Sequence, residues 1–134
     1  MSLLHDGRHC TNGLFSPHNV ACFEKAKSLL PHDAGRNLSY EAYDATEMVK
    51  KNKLDNADII IVDPPRKGLD SEVVSAFNNL QTKNVKLIYV SCGFRALKRD
   101  LTELRNCGWK LVRAEGHILF PGADHVETLC FLEK

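Results

Sequence analysis

The sequence predicts an α/β fold: an open, mostly parallel sheet with helices between its strands and an antiparallel C-terminal hairpin at one edge. Three observations predict it. Ala57-Asp58-Ile59-Ile60-Ile61-Val62 and Lys86-Leu87-Ile88-Tyr89-Val90 are apolar, largely β-branched runs, the pattern of strands buried on both faces and so of a parallel sheet. Each run is followed by an amphipathic helical stretch, as parallel crossovers require. The tail beyond Gly108 carries two extended segments with no helix between them.

The elements follow in order. The first 15 residues carry no assignable pattern, and residues 16–134 form one α/β core. Ser16-Pro17 opens a helix, with Ser as N-cap and Pro at the first helical position. Val20, Phe23, Lys27 and Leu30 share one face of it, and it ends near Pro31. Leu38, Tyr40 and Ala42 alternate with polar neighbours as on a short strand, and residues 45–51 form a short helix. The strand at 57–62 stops at Asp63-Pro64-Pro65, because proline supplies no backbone donor. Gly68-Leu69-Asp70-Ser71 leads into a helix from Glu72 to about Leu80 that buries Val73, Val74, Phe77 and Leu80. The next strand ends in Ser91-Cys92-Gly93. Residues 95–106 then form a helix with Leu97, Leu101 and Leu104 inward, closed by Gly108. Trp109–Leu119 and Glu127–Leu132 pair across the segment Phe120-Pro121-Gly122-Ala123-Asp124-His125.

Composition narrows the function classes. With 43% apolar and 26% charged residues in 134, the chain suits one globular domain rather than a disordered or disulfide-framed one. It has no stretch of about 18 apolar residues and no apolar core of a signal peptide. The five cysteines, none spaced CxxC, read as reduced thiols in an intracellular compartment, cytoplasmic or organellar. Cys22, Cys107 and Cys130 are expected to be small buried apolar residues. The six histidines form no HxxxH pair, so no metal site is expected. Charge is uneven although the net is +1. Residues 83–113 hold Lys83, Lys86, Arg95, Lys98, Arg99, Arg105, Lys110 and Arg113 against only Asp100 and Glu103. Such a basic apron suits a phosphate backbone, with Arg105 and Lys110 read as ordinary solvated positions.

Ligands of open α/β sheets bind outside the carboxyl ends of the strands. Asp63-Pro64-Pro65-Arg66 and Ser91-Cys92-Gly93 both sit there, after strands that should be neighbours, so Asp63 and Cys92 are expected in one pocket. Cys92 precedes a helix N-terminus, and Arg95, Lys98 and Arg99 follow in its first turns. Both features favour a thiolate; an inert strand-end cysteine is the competing reading. A CxxxxxR phosphatase loop would need arginine at position 98, where Lys98 stands, and a redox CxxC would need cysteine at 95, where Arg95 stands. Asp63 and the rigid Pro-Pro backbone suit a planar polar ligand such as a nucleobase, and also a plain strand stop. The Asp-Pro-Pro triplet also resembles a motif of several nucleic-acid methyltransferases; those acting on exocyclic amines usually carry an aromatic next, where Arg66 stands here, so the resemblance disfavours amine methylation. Glu127 opens the last strand, where it either faces the pocket as a base or solvates the turn.

Asp63-Pro64-Pro65-Arg66-Lys67-Gly68-Leu69, Tyr89-Val90-Ser91-Cys92-Gly93 and Phe120-Pro121-Gly122-Ala123-Asp124-His125-Val126-Glu127 occur in that order. Together they resemble the C-terminal catalytic half of the RNA (uracil-5-)methyltransferases, which use S-adenosylmethionine to make 5-methyluridine in tRNA and rRNA. The likeness covers residues 57–134 well and 17–56 loosely. It implies a Rossmann-like class I methyltransferase sheet, S-adenosylmethionine as cofactor and RNA as partner. It also implies roles: Cys92 as nucleophile, Glu127 as general base, Asp63 as a contact to both the target uracil and the cofactor, Arg66 as a substrate contact, and Asp44 as the contact to the cofactor's adenine. The chemistry suits those residue types. Uracil C5 becomes nucleophilic only after a soft nucleophile adds at C6, and a base must later take the C5 proton.

One feature of the family is missing. No two of the glycines at 7, 13, 35, 68, 93, 108, 116 and 122 are separated by a single residue, so the glycine-rich loop for the methionine moiety is absent. The expectation is therefore a partial domain truncated at its N-terminus, inactive and a weak cofactor binder alone. The edge so exposed should favour self-association, which light scattering would detect. Two alternatives stand: a non-catalytic Rossmann-like binding module, and a cytosine-C5 RNA methyltransferase. The latter usually carries proline before its cysteine, where this chain has Ser91.

Overall fold

The structure, a computed structural model, describes residues 2–5, 9–13, 17–29, 38–41, 45–51, 54, 57–80, 84–122 and 125–134. The described elements run β1 (Ser2–His5), β2 (His9–Gly13), α1 (Pro17–Ser28), β3 (Leu38–Glu41), α2 (Ala45–Lys50), β4 (Ile59–Val62), α3 (Ser71–Asn79), β5 (Lys86–Ser91), α4 (Phe94–Asn106), β6 (Lys110–His117) and β7 (Glu127–Glu133). They form one seven-stranded sheet in the order β3-β2-β1-β4-β5-β7-β6. The pairings make β2, β3, β4, β5 and β6 run one way, with β1 and β7 reversed.

The C-terminal hairpin is as expected, and the N-terminal hairpin is an addition. Five of the seven described strands run one way, yet the sheet is mixed rather than mostly parallel in its pairing: only β2–β3 and β4–β5 pair in parallel, because the reversed β1 and β7 each sit between like-directed strands. β1 pairs antiparallel with both β2 and β4. Only three residues join β1 to β2, and a link that short can only reverse the chain, whereas a parallel return needs a crossover of a dozen residues or more. Asp6-Gly7 in that link is a strong hairpin signal that the strand pattern around it obscures. Two further corrections concern α1. It ends at Ser28 rather than near Pro31, and Cys22 is exposed, not buried. The described side chains of this helix are almost all exposed, so position 22 has no core to enter. The proposed N-cap Ser16 and the helix-face residue Leu30 lie outside the described residues.

The core lies in the C-terminal two-thirds. Ile60 and Val62 of β4, Leu87 and Tyr89 of β5, and Cys130 and Leu132 of β7 meet Val73, Val74 and Phe77 of α3 and Leu97 and Leu104 of α4. Trp109 closes the far end, edge-on to Phe77 with ring centroids 6.3 Å apart, a geometry that suits the ring quadrupoles. The chain reaches that tryptophan through a Schellman turn. The Trp109 N–H donates to Leu104 O and the Gly108 N–H to Arg105 O, both at 3.0 Å. Gly108 sits at φ +90, which a side chain disfavours. At the same end Lys134 Nζ donates to the carbonyls of Phe77 and Asn78, a cation on the orphan acceptors of the α3 C-terminus.

Candidate active site

The site grows from two turns at the carboxyl ends of β4 and β5. In the first, the Gly68 N–H donates to Pro65 O at 2.8 Å, a β-turn with Arg66 and Lys67 at its two central positions. In the second, the buried Ser91 accepts the Gly93 N–H on Oγ at 3.1 Å, which bends the chain between β5 and α4. The two turns touch. A Cβ on Gly93 would lie 2.9 Å from Arg66 O, so only glycine lets the backbones approach this closely.

A carboxylate that the sequence reading passed over holds the first turn in place. Asp100, on α4, is fully buried. Its Oδ2 accepts from Tyr89 Oη at 2.6 Å and from the Leu69 N–H at 2.7 Å. Its Oδ1 accepts from Arg99 Nε at 2.9 Å and Nη2 at 2.7 Å. The same Nη2 donates to Lys67 O at 2.8 Å. All four acceptor positions of the carboxylate are thus filled, and the Asp63–Asp70 loop is tied to α4 through both its N–H and C=O groups. Burial, then the hydrogen bond to Asp100 and its charge, push the Tyr89 phenol well above the ordinary tyrosine range. The same carboxylate raises the Arg99 guanidinium. Gly68, at φ +87, lies against this cluster, where a Cβ would come within 2.5 Å of Asp100 Oδ2. Arg99 therefore serves the loop, a correction to its expected place in the positive surroundings of the thiol.

Strand register brings the predicted residues together. β5 and β7 pair antiparallel with Ser91 opposite Thr128, so one step further sets Cys92 against Glu127. β4 and β5 pair in parallel with Val62 beside Tyr89, so Asp63 emerges at the same sheet end. A cleft of about 500 Å³ is lined by Asp63, Cys92 and Glu127, together with Val90, His117, Leu119, Thr128 and Leu129. Cys92 is half-buried there. Arg66 is not among the residues lining this cleft: its Nη2 donates to His125 Nε2 at 3.2 Å, the ring nitrogen accepting because a guanidinium has only donors, and His125 lines an adjoining pocket that also holds Cys92. Asp63 also borders a second hollow of about 170 Å³, walled by Ala45, Val62, Pro64, Leu69 and Val73. Asp44 lies outside the described residues. Among the described residues no cluster of three metal-ligating side chains occurs.

Besides the Asp100 network, the sequence reading missed Phe94, 71% exposed at the start of α4 and lining a pocket of about 540 Å³ shared with Cys92 and His125. Its signal was an aromatic directly after the Ser-Cys-Gly turn and ahead of a basic helix. The thiols differ enough for a direct check. Cys22 is exposed and Cys92 and Cys107 are half-buried, while Cys130 is buried, and burial pushes its thiol up. Iodoacetamide on the native protein, read by peptide mass spectrometry, is expected to label Cys130 at least about tenfold more slowly than Cys22. Equal rates would mean that β7 is not covered as described.

Comparisons with known proteins agree in kind. Residues 43–134 match the family model described as tRNA (uracil-5-)-methyltransferase. An uncharacterized RNA methyltransferase of Protochlamydia amoebophila is 38% identical over 119 residues, 89% of this chain and 30% of that protein. The 23S rRNA (uracil(747)-C(5))-methyltransferase of Shewanella oneidensis is 31% identical over 116 residues, 86% of this chain and 28% of that protein. The chain thus spans about 30% of the length of the curated relatives it matches. Among solved structures, the Pyrococcus abyssi tRNA (uracil-54, C5)-methyltransferase bound to S-adenosyl-L-homocysteine superposes with a TM-score of 0.61 at 27% identity, over 75% of this chain and 25% of that one.

Proposed function

The chain belongs to the tRNA (uracil-5-)-methyltransferase family, and from that premise we propose that the whole protein methylates C5 of a uridine in RNA through a covalent bond between Cys92 and C6 of the base. The observation that carries this reading is the single cleft lined by Asp63, Cys92 and Glu127. A thiolate at Cys92 adds to C6, and the electron pair of the C5–C6 double bond moves onto the ring as an enolate, which makes C5 nucleophilic. Once the methyl group is on C5, Glu127 takes the remaining C5 proton, the double bond re-forms and the thiolate leaves. Asp63 accepts the N3–H of the ring, and Arg66, hydrogen-bonded to His125, holds the RNA. A uridine in folded RNA must turn out of its stack to enter. The substrate is tRNA or rRNA.

S-adenosylmethionine, the methyl donor of the family, supplies an electrophilic methyl sulfonium when bound. The described residues suit one end of it. The hollow of about 170 Å³ beside Asp63 sets Ala45, Val62, Leu69 and Val73 beside Lys67 and Asp70, apolar area for a planar base with polar groups at hand, but is smaller than the ~300 Å³ typical of a whole small-molecule site. Asp63 and the start of α2 would hold that end, with Asp44 proposed at the adenine.

RNA carrying 5-fluorouridine tests the reading, because fluorine at C5 cannot leave as a proton. With S-adenosylmethionine present, a protein–RNA adduct that survives a denaturing gel and maps to Cys92 is expected. Methylation of ordinary RNA without any such adduct would overturn the covalent route. In the same assay Glu127→Gln on ordinary RNA should keep the adduct and slow its release about 10²–10⁴-fold, the usual contribution of a positioned base. Normal turnover in that variant would remove Glu127 from the role.

A further inference from the structure

We propose that the groove between α4 and β6 is a second RNA site, a track for the single strand flanking the target uridine. The inference rests on the reading of Cys92 as the centre of an RNA-modifying cleft. The groove has a volume of about 820 Å³ and follows the helix from Phe94 through Lys98, Thr102 and Arg105 to Trp109, with Lys110 on the strand side. Phe94 lines both this groove and the pocket that holds Cys92, so a strand leaving the cleft crosses the exposed phenyl ring before it reaches the groove. A 13-residue helix is about 20 Å long, the reach of several nucleotides.

The chemistry of the lining selects the occupant. Lys98, Arg105 and Lys110 bring three cations, and no carboxylate lines the groove among the described residues. The rest of the lining is largely apolar: Leu97, Leu101, Leu111 and Leu132, with the buried Trp109. The groove therefore offers positive charge along an apolar trough beside an exposed stacking ring, the combination that holds single-stranded nucleic acid without reading its sequence. Lys110 is 3.7 Å from Glu133, which leaves Lys98 and Arg105 as the principal phosphate contacts. These two exposed residues lie on one face of α4, seven positions apart, about two helical turns.

The test measures anisotropy of a fluorescein-labelled single-stranded oligouridylate with the full chain over a range of salt. Lys98→Glu with Arg105→Glu should weaken binding at least about tenfold and make the log K against log salt slope shallower by about 1.4, since each phosphate contact on a single strand contributes about 0.7. Lys25→Glu with Lys50→Glu makes the same charge change at two exposed positions on α1 and α2, outside the groove lining, and should leave the slope unaltered. Phe94→Ala should weaken binding about fivefold or more with the slope unchanged. Unaltered affinity and slope in the groove pair would overturn the proposal, as would absence of RNA binding by the wild-type chain. So would a change confined to self-association by light scattering, which would make the groove a contact between copies. Cys92→Ala keeps the two readings apart: it should lose the fluorouridine adduct and keep equilibrium affinity. An adduct that persists in that variant defeats the catalytic reading alone, and normal adducts with unweakened binding in the groove pair defeat the groove alone.

Discussion

In the whole protein, Cys92→Ala is expected to abolish methyl transfer to RNA and the 5-fluorouridine adduct while leaving the fold intact. No other described side chain of the cleft offers a soft nucleophile: its polar members are Asp63, His117, Glu127 and Thr128. Without addition at C6, C5 keeps its place in the conjugated ring and does not attack the methyl group. Removing the nucleophile of a covalent mechanism lowers turnover by roughly 10⁴-fold or more. The thiol is only half-buried at the end of a strand, so its truncation should cost less than about 1 kcal/mol of stability. Matched melting curves with a lost adduct are therefore the expected pair of results. Cys92→Ser sharpens the experiment, because it restores size and polarity without a group that adds to C6. Methylation by either variant near the wild-type rate would end the covalent assignment.

How much of this was legible in the sequence depends on which interaction sets each feature. β4, β5 and the helices behind them are fixed by local pattern: Ile60, Val62, Leu87 and Tyr89 alternate into the core, and Val73, Val74 and Phe77 fall on one helical face. The meeting of Asp63 with Cys92 followed from topology alone, since adjacent parallel strands end together. That Glu127 faces the cleft depended on a register no single segment encodes, the pairing of Ser91 with Thr128. The start of the chain was opaque because a five-residue strand beside a four-residue one shows too few positions for a period. Asp100 was read as one of two acids in a basic stretch. Its helix is strongly amphipathic, with Leu97 and Leu104 inward, and position 100 lies on the same face as both. A charged residue on the inward face of a helix is itself a signal, since burial without partners is prohibitive. The residues that satisfy it, Tyr89 and the Leu69 amide, are 11 and 31 positions away, and only the folded chain identifies them.

The second large effect is expected at that carboxylate. Asp100→Ala leaves the Tyr89 hydroxyl and the Leu69 N–H as donors without their acceptor, and removes the anion that Arg99 faces. Breaking a buried charged cluster at one partner costs about 3–5 kcal/mol, a large share of the ~5–15 kcal/mol typical of a domain. Urea unfolding should therefore show a much lower midpoint. Asp100→Asn, which keeps one acceptor and the volume, should lose less and remain folded. In that variant the Leu69 amide should exchange faster with solvent, and the loop bearing Asp63 and Arg66 should no longer be held against the Cys92 turn. Activity should then fall further than the change in stability explains, with slower turnover as well as weaker RNA binding. Tyr89 adds a pH signature. Its phenol is held above the ordinary value of 10.0, so the folded chain keeps a proton that the unfolded chain releases above that pH. Stability contributed by this group is complete below pH 10 and declines above it, by at most ~1.4 kcal/mol per pH unit. Tyr89→Phe should remove that alkaline slope, and the double variant with Asp100→Asn should lose less than the sum of the two singles, because both act through one hydrogen bond. Additive losses and an unchanged slope would mean that Asp100 and Tyr89 act independently, and the loop would then need another anchor.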